Sequence, residues 1–199
     1  RVMERQVQPV LLVLSGPSGV GKTTVAHRLL DENENLKRIV TCTTRAPREG
    51  ERDGVDYHFL DESEFLKRLG CEEFLEHAVV YGKYYGTLKS AVHDAFAAVH
   101  DILIVNDVQG ALALNKIIRE DAVLGGALQT IFLVPEGVED LRRRLESRAE
   151  DDKRTIEERM ENAVEELKQQ DKFDHVVVSG TRDEDYQQVQ CIYEQAGNR

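Results

Sequence analysis

Residues Gly16 to Thr23 read Gly-Pro-Ser-Gly-Val-Gly-Lys-Thr, the spacing Gly-x-x-x-x-Gly-Lys-Thr. The chemistry of that spacing is a grip on phosphate oxygens. Glycines let successive backbone N–H groups turn inward around an anion, and a helix starting near Lys22 aims its positive dipole end at the same point. Lys22 brings a mobile charge to the β and γ oxygens of a nucleoside triphosphate, and the Thr23 hydroxyl is the expected direct ligand of Mg2+. Gly16, Pro17, Ser18, Gly19, Val20, Gly21 and Thr24 complete the loop around them.

Such a loop has to be held between a strand and a helix, and its neighbours supply both. Val10 to Leu14 is short, continuous and apolar, as a central parallel strand buried on both faces must be. From Thr24 to Leu30, apolar residues recur at helical spacing. Further on, hydrophobic patterning predicts strands over 39–44, 55–60, 74–81, 84–87, 102–107, 129–134 and 176–178. It predicts helices over 61–69, 90–99, 111–119, 138–160 with a polar break at 149–152, 163–169 and 186–195. The fold expected is α/β, a parallel sheet flanked by helices over 1–36 and 91–199, with a mixed α/β lobe inserted over 37–90. Gly50, Gly54, Gly82 and Gly86 are read as flexible points of that lobe. Active sites in open α/β sheets lie off the carboxyl ends of strands, which puts Asp107 and Gln109 near the phosphate loop.

Composition narrows the setting. Charged residues make up 32% and hydrophobic ones 41% of 199 residues, the balance of a soluble globular chain with one well-buried core. The net charge of −11 argues against broad nucleic-acid or anionic-membrane binding, so any phosphate affinity is local. No apolar run is long enough to span a bilayer and no signal-type segment opens the chain, so a cytoplasmic setting is expected. Residue 1 is Arg rather than Met, from which a missing or processed start is expected. Cys42, Cys71 and Cys191 have no metal-type spacing; a reducing compartment fits, and each is read as a small core filler. Most of the arginines between 142 and 159 read as a solvated helix face laced with carboxylates.

Beyond the loop, three stretches resemble guanylate kinase. These are Thr43-Thr44-Arg45-Ala46-Pro47-Arg48-Glu49-Gly50-Glu51 with Gly54-Val55-Asp56-Tyr57; Glu73-Phe74-Leu75-Glu76 with Tyr84-Tyr85-Gly86-Thr87; and Asp107-Val108-Gln109-Gly110-Ala111. They stand in that family's order and spacing. The resemblance implies a P-loop kinase core, a lobe for a nucleoside monophosphate and a helical, arginine-bearing lid at about 142–160. It implies transfer of the ATP γ-phosphoryl group to GMP, with dGMP expected as well, Mg2+ accompanying ATP, and a place in purine metabolism. Monomer and homodimer are both compatible with it.

The residue types suit those roles. Arg45 and Arg48 flank a proline-stiffened turn that can present planar, permanently charged forks to a dianionic phosphate. Tyr57 and Tyr85 can add phenol donors, and the resemblance assigns all four to the GMP phosphate. Guanine shows N1–H and N2–H2 donors on one edge, which carboxylates read naturally. Glu76 and Asp107 match the base-contacting positions, with the Thr41 and Thr87 hydroxyls beside them. Lys22, Arg45, Arg148 and Arg159, with Arg144 less firmly tied to the motif, are the residues expected to neutralise charge on the migrating group. No general base is expected, because positioning and charge carry phosphoryl transfer. Asp107 is also expected near Mg2+ through water. Two positions depart from the family pattern: Val105 stands where a carboxylate is common, and Ser179-Gly180 where Asn-Asp is common near the adenine. The rival readings are a non-catalytic guanylate-kinase-like binding module and a kinase of another small phosphate ester.

Overall fold

The computed structural model describes residues 9–146 and 153–197. Strand β1 (Leu11–Ser15) runs through the glycine loop into α1 (Lys22–Glu32) and then β2 (Leu36–Arg38). A second unit follows, with β3 (Cys42–Thr43), β4 (His58–Phe59), α2 (Glu62–Gly70), β5 (Phe74–Val80) and β6 (Lys83–Leu88). The chain then continues through α3 (Lys89–Ala97), β7 (Asp101–Val105), α4 (Val108–Glu120) and β8 (Leu128–Pro135). It ends with α5 (Val138–Glu146), α6 (Lys153–Leu167), β9 (His175–Ser179) and α7 (Arg182–Gly197).

The core sheet is parallel throughout, in the order β2-β7-β1-β8-β9. Successive side chains of a strand point to opposite faces, and β1 shows the result. Leu11 and Val13 join the cluster under α3 and α4 with Val92, Ala111, Leu114 and Ile118. Leu12 and Leu14 join the opposite cluster with Val25, Leu29, Tyr186 and Val189 of α1 and α7. All five β1 residues are fully buried, so the sheet end that carries the phosphate loop is fixed from both sides. A small third core, Leu141, Leu145, Ile156, Met160 and Ala163, locks α5 to α6.

Of the strand expected over 39–44 only Cys42 and Thr43 form one, in the second sheet, and a core strand lies just before it. Leu36 to Arg38 pairs with β7, whereas Cys42 and Thr43 pair with β4 and β6. Ile39 still donates its N–H to the Leu103 carbonyl (2.9 Å), while the Thr41 carbonyl already accepts from the His58 N–H (2.8 Å). Apolar periodicity cannot distinguish one sheet from two, and the change of sheet falls after Arg38. Similarly the strand over 55–60 shrinks to His58–Phe59, because the Gly54 N–H closes a turn on the Tyr57 carbonyl (2.8 Å).

The second sheet, β4-β3-β6-β5, packs on α2 through Phe65 and Phe74, whose rings stack at 4.4 Å. Gly86 is therefore no hinge: a Cβ there would stand 2.7 Å from the Phe74 ring. Gly50, Gly54 and Gly82 do hold positive φ in open turns. Of the three thiols only Cys42 is a core residue, pushed up to about 11 by burial; Cys71 and Cys191 are exposed, contrary to expectation.

Candidate active site

The phosphate loop owes its shape to its glycines. Gly16, Gly19 and Gly21 all hold positive φ, at 142°, 87° and 113°. At Gly16 any Cβ would collide with the backbone carbonyl of Leu133 on β8, so a close approach and a strained conformation coincide there. Lys22 Nζ donates to the carbonyls of Gly16 (2.6 Å) and Pro17 (3.0 Å), folding its charge across the mouth of the loop. Helix α5 braces the loop from outside. Gly19 lies against Leu141 and Leu145, and Arg144 Nη1 donates to the Val20 carbonyl (2.9 Å) while Nε pairs with Asp140 (2.8 Å). Arg144 thus ties α5 to the loop.

Opposite the loop, one cleft of about 390 Å³ is shared by Lys22, Thr23 and Thr24 with Arg45, Arg48, Tyr57, Tyr85, Asp107 and Arg159. Residues drawn from five separate stretches of sequence meet there. Arg45 is oriented by Glu51, which takes Nη2 at 2.9 Å, and Glu51 also accepts the Arg48 N–H at 2.8 Å. One carboxylate therefore holds the Arg45 guanidinium and the backbone turn at Arg48. The Arg45 guanidinium lies 5.5 Å from the Tyr57 ring centre, and Tyr57 meets Tyr85 edge-on at 6.1 Å. Burial raises the Tyr57 phenol, which keeps it a donor. Arg159 of α6 reaches across to the Tyr81 ring at the β5–β6 turn, 5.7 Å away. Arg148 lies outside the described residues.

Behind the cleft sits a buried polar corner. Glu76 Oε1 accepts from Thr87 Oγ1 (2.7 Å) and Asn106 Nδ2 (3.0 Å), and Oε2 is buried with no hydrogen bond. Burial pushes this carboxyl up to about 7, although both hydrogen bonds work against it. Asp107 caps α4, its Oδ1 accepting from the N–H groups of Gln109 (2.9 Å) and Gly110 (3.1 Å), and its buried Oδ2 has no partner. Burial raises Asp107 too, against the pull of the Gly110 amide and the Lys22 charge. Thr41, Glu76 and Thr87 are nearly or fully buried rather than part of the cleft lining, and the Thr87 hydroxyl proton is committed to Glu76.

Known proteins match this arrangement over nearly its whole length. A model of the guanylate kinase family covers residues 8–196. The chain belongs to the guanylate kinase family. A guanylate kinase of Chlorobaculum tepidum is 43% identical over 169 residues, covering 85% of this chain and 84% of that one. A rice protein (Oryza sativa subsp. japonica) named guanylate kinase 2, chloroplastic/mitochondrial, is 44% identical over 172 residues, and this chain spans 58% of its length. The crystal structure of guanylate kinase from Anaplasma phagocytophilum superposes with a TM-score of 0.79 at 31% identity, covering 98% of this chain and 89% of that one. No helix among the described residues is long and apolar enough to cross a membrane.

Within this guanylate kinase fold three residues of the site were not foreseen: Glu51, Asn106 and Glu166. Glu51 stood inside the matched motif but gave no sign of its partner. Asn106, a polar residue ending a buried strand, was the one legible signal. Glu166 on α6 lines the cleft, where burial raises its carboxyl while Lys22 lowers it and Asp107 raises it further. Among the described residues no group of three or more His, Cys, Asp or Glu forms a metal site. The side-chain oxygens lining the cleft include the Thr23 hydroxyl and the carboxylates of Asp107 and Glu166, and Val105 adds none. That sparse set suits Mg2+, which keeps several waters and takes phosphate oxygens as ligands. At the far end, Ser179 Oγ donates to Asp185 (2.7 Å), and the Gly180 N–H donates to the same carboxylate (2.7 Å).

Proposed function

We propose that this chain transfers the γ-phosphoryl group of ATP to GMP or dGMP, giving ADP and GDP or dGDP, as a step of purine nucleotide metabolism in the cytoplasm. The observation that carries the reading is the single cleft in which the phosphate loop faces Arg45, Arg48, Tyr57 and Tyr85. Two anions that repel each other are gripped there by separate sets of donors.

A phosphate oxygen of GMP attacks the γ-phosphorus in line, and the bond to the β–γ bridging oxygen breaks, its electron pair leaving with ADP. The loop amides and Lys22 hold the donor phosphates. Arg45, Arg48, Tyr57 and Tyr85 hold and orient the acceptor phosphate, while Arg45, Arg148 and Arg159 offset charge on the migrating group. Thr23 directly, and Asp107 through water, would hold Mg2+, which when bound neutralises charge on the β and γ oxygens. Glu76 and Asp107 each offer one unpartnered buried oxygen to the guanine donors. Adenine would leave them unpaired, which is the basis for rejecting AMP. Thr41 and Thr87 complete that corner, Thr87 as an acceptor and as the orienting partner of Glu76.

The test is ADP release measured over GMP, dGMP, AMP, UMP and ribose phosphates, with and without Mg2+. Turnover confined to GMP and dGMP and dependent on Mg2+ is expected. Comparable turnover of AMP overturns the base assignment, and no turnover of any acceptor overturns the enzyme.

A further inference from the structure

Asn106 follows the last residue of β7 and is 7% exposed. Its backbone N–H continues the core sheet by donating to the Leu14 carbonyl (3.1 Å). The side-chain amide points two ways. Nδ2 donates to Glu76 Oε1 (3.0 Å) on β5, and Oδ1 accepts from the Asp107 N–H (2.9 Å). Helix α4 fixes the amide in place: a Cβ on Gly110 would stand 2.5 Å from Nδ2. Glycine is required there by this side chain.

The consequence falls on Glu76. Thr87 and Asn106 both donate to Oε1, so the carboxylate cannot rotate, and Oε2 is held buried and unpartnered. A buried carboxylate oxygen without a donor is costly, which marks it as reserved for a donor from outside the chain. Asp107 is arranged alike, with Oδ1 consumed by the α4 cap and Oδ2 unpartnered. The Asn106 amide is bonded to both residues.

Resting on the reading of Glu76 and Asp107 as base readers, we propose that Asn106 is a specificity-determining positioning residue whose amide sets the spacing of the two carboxylates that receive the guanine N1–H and N2–H2 donors.

The test is the steady-state kinetics of Asn106→Leu and the isosteric Asn106→Asp with GMP and with IMP, which lacks the 2-amino group. ATP-analogue binding by calorimetry serves as the check on the fold. In both variants kcat/KM for GMP is expected to fall roughly 30-fold, chiefly through KM, as loss of a hydrogen bond to a charged group implies. The GMP-over-IMP ratio is expected to fall about tenfold, with KM for ATP unchanged. Asn106→Asp has the larger effect, since it places a second carboxylate against Glu76. A variant that binds the ATP analogue normally and keeps the wild-type GMP-over-IMP ratio overturns the proposal. So does loss of ATP and GMP binding together in both variants, which makes Asn106 a general structural residue. A wild-type protein that does not prefer GMP over IMP and AMP overturns instead the underlying reading of the site.

Discussion

The phosphate loop takes its ligand-holding groups from consecutive residues between β1 and α1, whereas the facing wall gathers Arg45, Tyr57, Tyr85 and Asp107 from distant parts of the chain. The loop works with backbone amides shaped by positive-φ glycines and one lysine. The acceptor wall works with side chains, and each of its charged readers is held by an internal partner: Glu51 for Arg45, Thr87 and Asn106 for Glu76, the α4 amides for Asp107. A backbone site is rigid because the sheet is rigid; a side-chain site is rigid only when further side chains hold it. The two walls should therefore respond differently to substitution, the first through turnover and stability, the second through affinity and selectivity.

The sharpest way to break that contrast is Lys22→Met. Turnover should drop on the order of 10³-fold or more with KM for GMP little changed, since the lysine serves the donor phosphates. Equal losses in kcat and GMP affinity, measured by steady-state kinetics, would erase the distinction between the walls.

Next comes Glu76→Gln, which should cost about 10²-fold in kcat/KM for GMP while leaving KM for ATP alone. The same residue gives a pH test. With a folded carboxyl raised to about 7, the ionised reader is lost as pH falls below that value. In wild type, kcat/KM for GMP should decline about tenfold per unit there, and the limb should vanish in the Gln variant. The groups facing Glu76 are Thr87, Asn106 and Asp107, and only Asp107 carries a charge. The stability sign is opposite: a raised carboxyl favours the fold below its unfolded value of 4.5, and that contribution is lost as pH rises through about 7.

Gly16→Ala probes the backbone wall itself. Collision with the Leu133 carbonyl and the unfavourable φ should destabilise the fold by about 2 kcal/mol or more, read as a lowered Tm. Gly54→Ala, in an open turn, makes a matched control with strain but no collision. Smallest is Tyr81→Leu. It removes the ring facing Arg159, and turnover should fall roughly fivefold or less with GMP affinity nearly unchanged.

Much of this is legible in the sequence. The loop, its flanking strand and helix, and most later elements follow from local spacing, because the forces that make them act between near neighbours. Where patterning failed, two sheets were competing for one run of residues: Ile39 belongs to the core and Cys42 to the lobe, yet both are apolar and only three positions apart. Gly86 was misread for a related reason. Its missing side chain makes room for Phe74, on another strand.

Residue order alone determined the phosphate loop, the α/β alternation and the family, since each is written in consecutive or regularly spaced residues. Tertiary structure decided that Glu51 holds the Arg45 guanidinium and the Arg48 backbone, that Arg144 braces the loop, and that Asn106 ties the Glu76 carboxylate to the Asp107 backbone. The reason is physical: a hydrogen bond depends on distance in space to a few tenths of an ångström, and separation along the chain carries no such information.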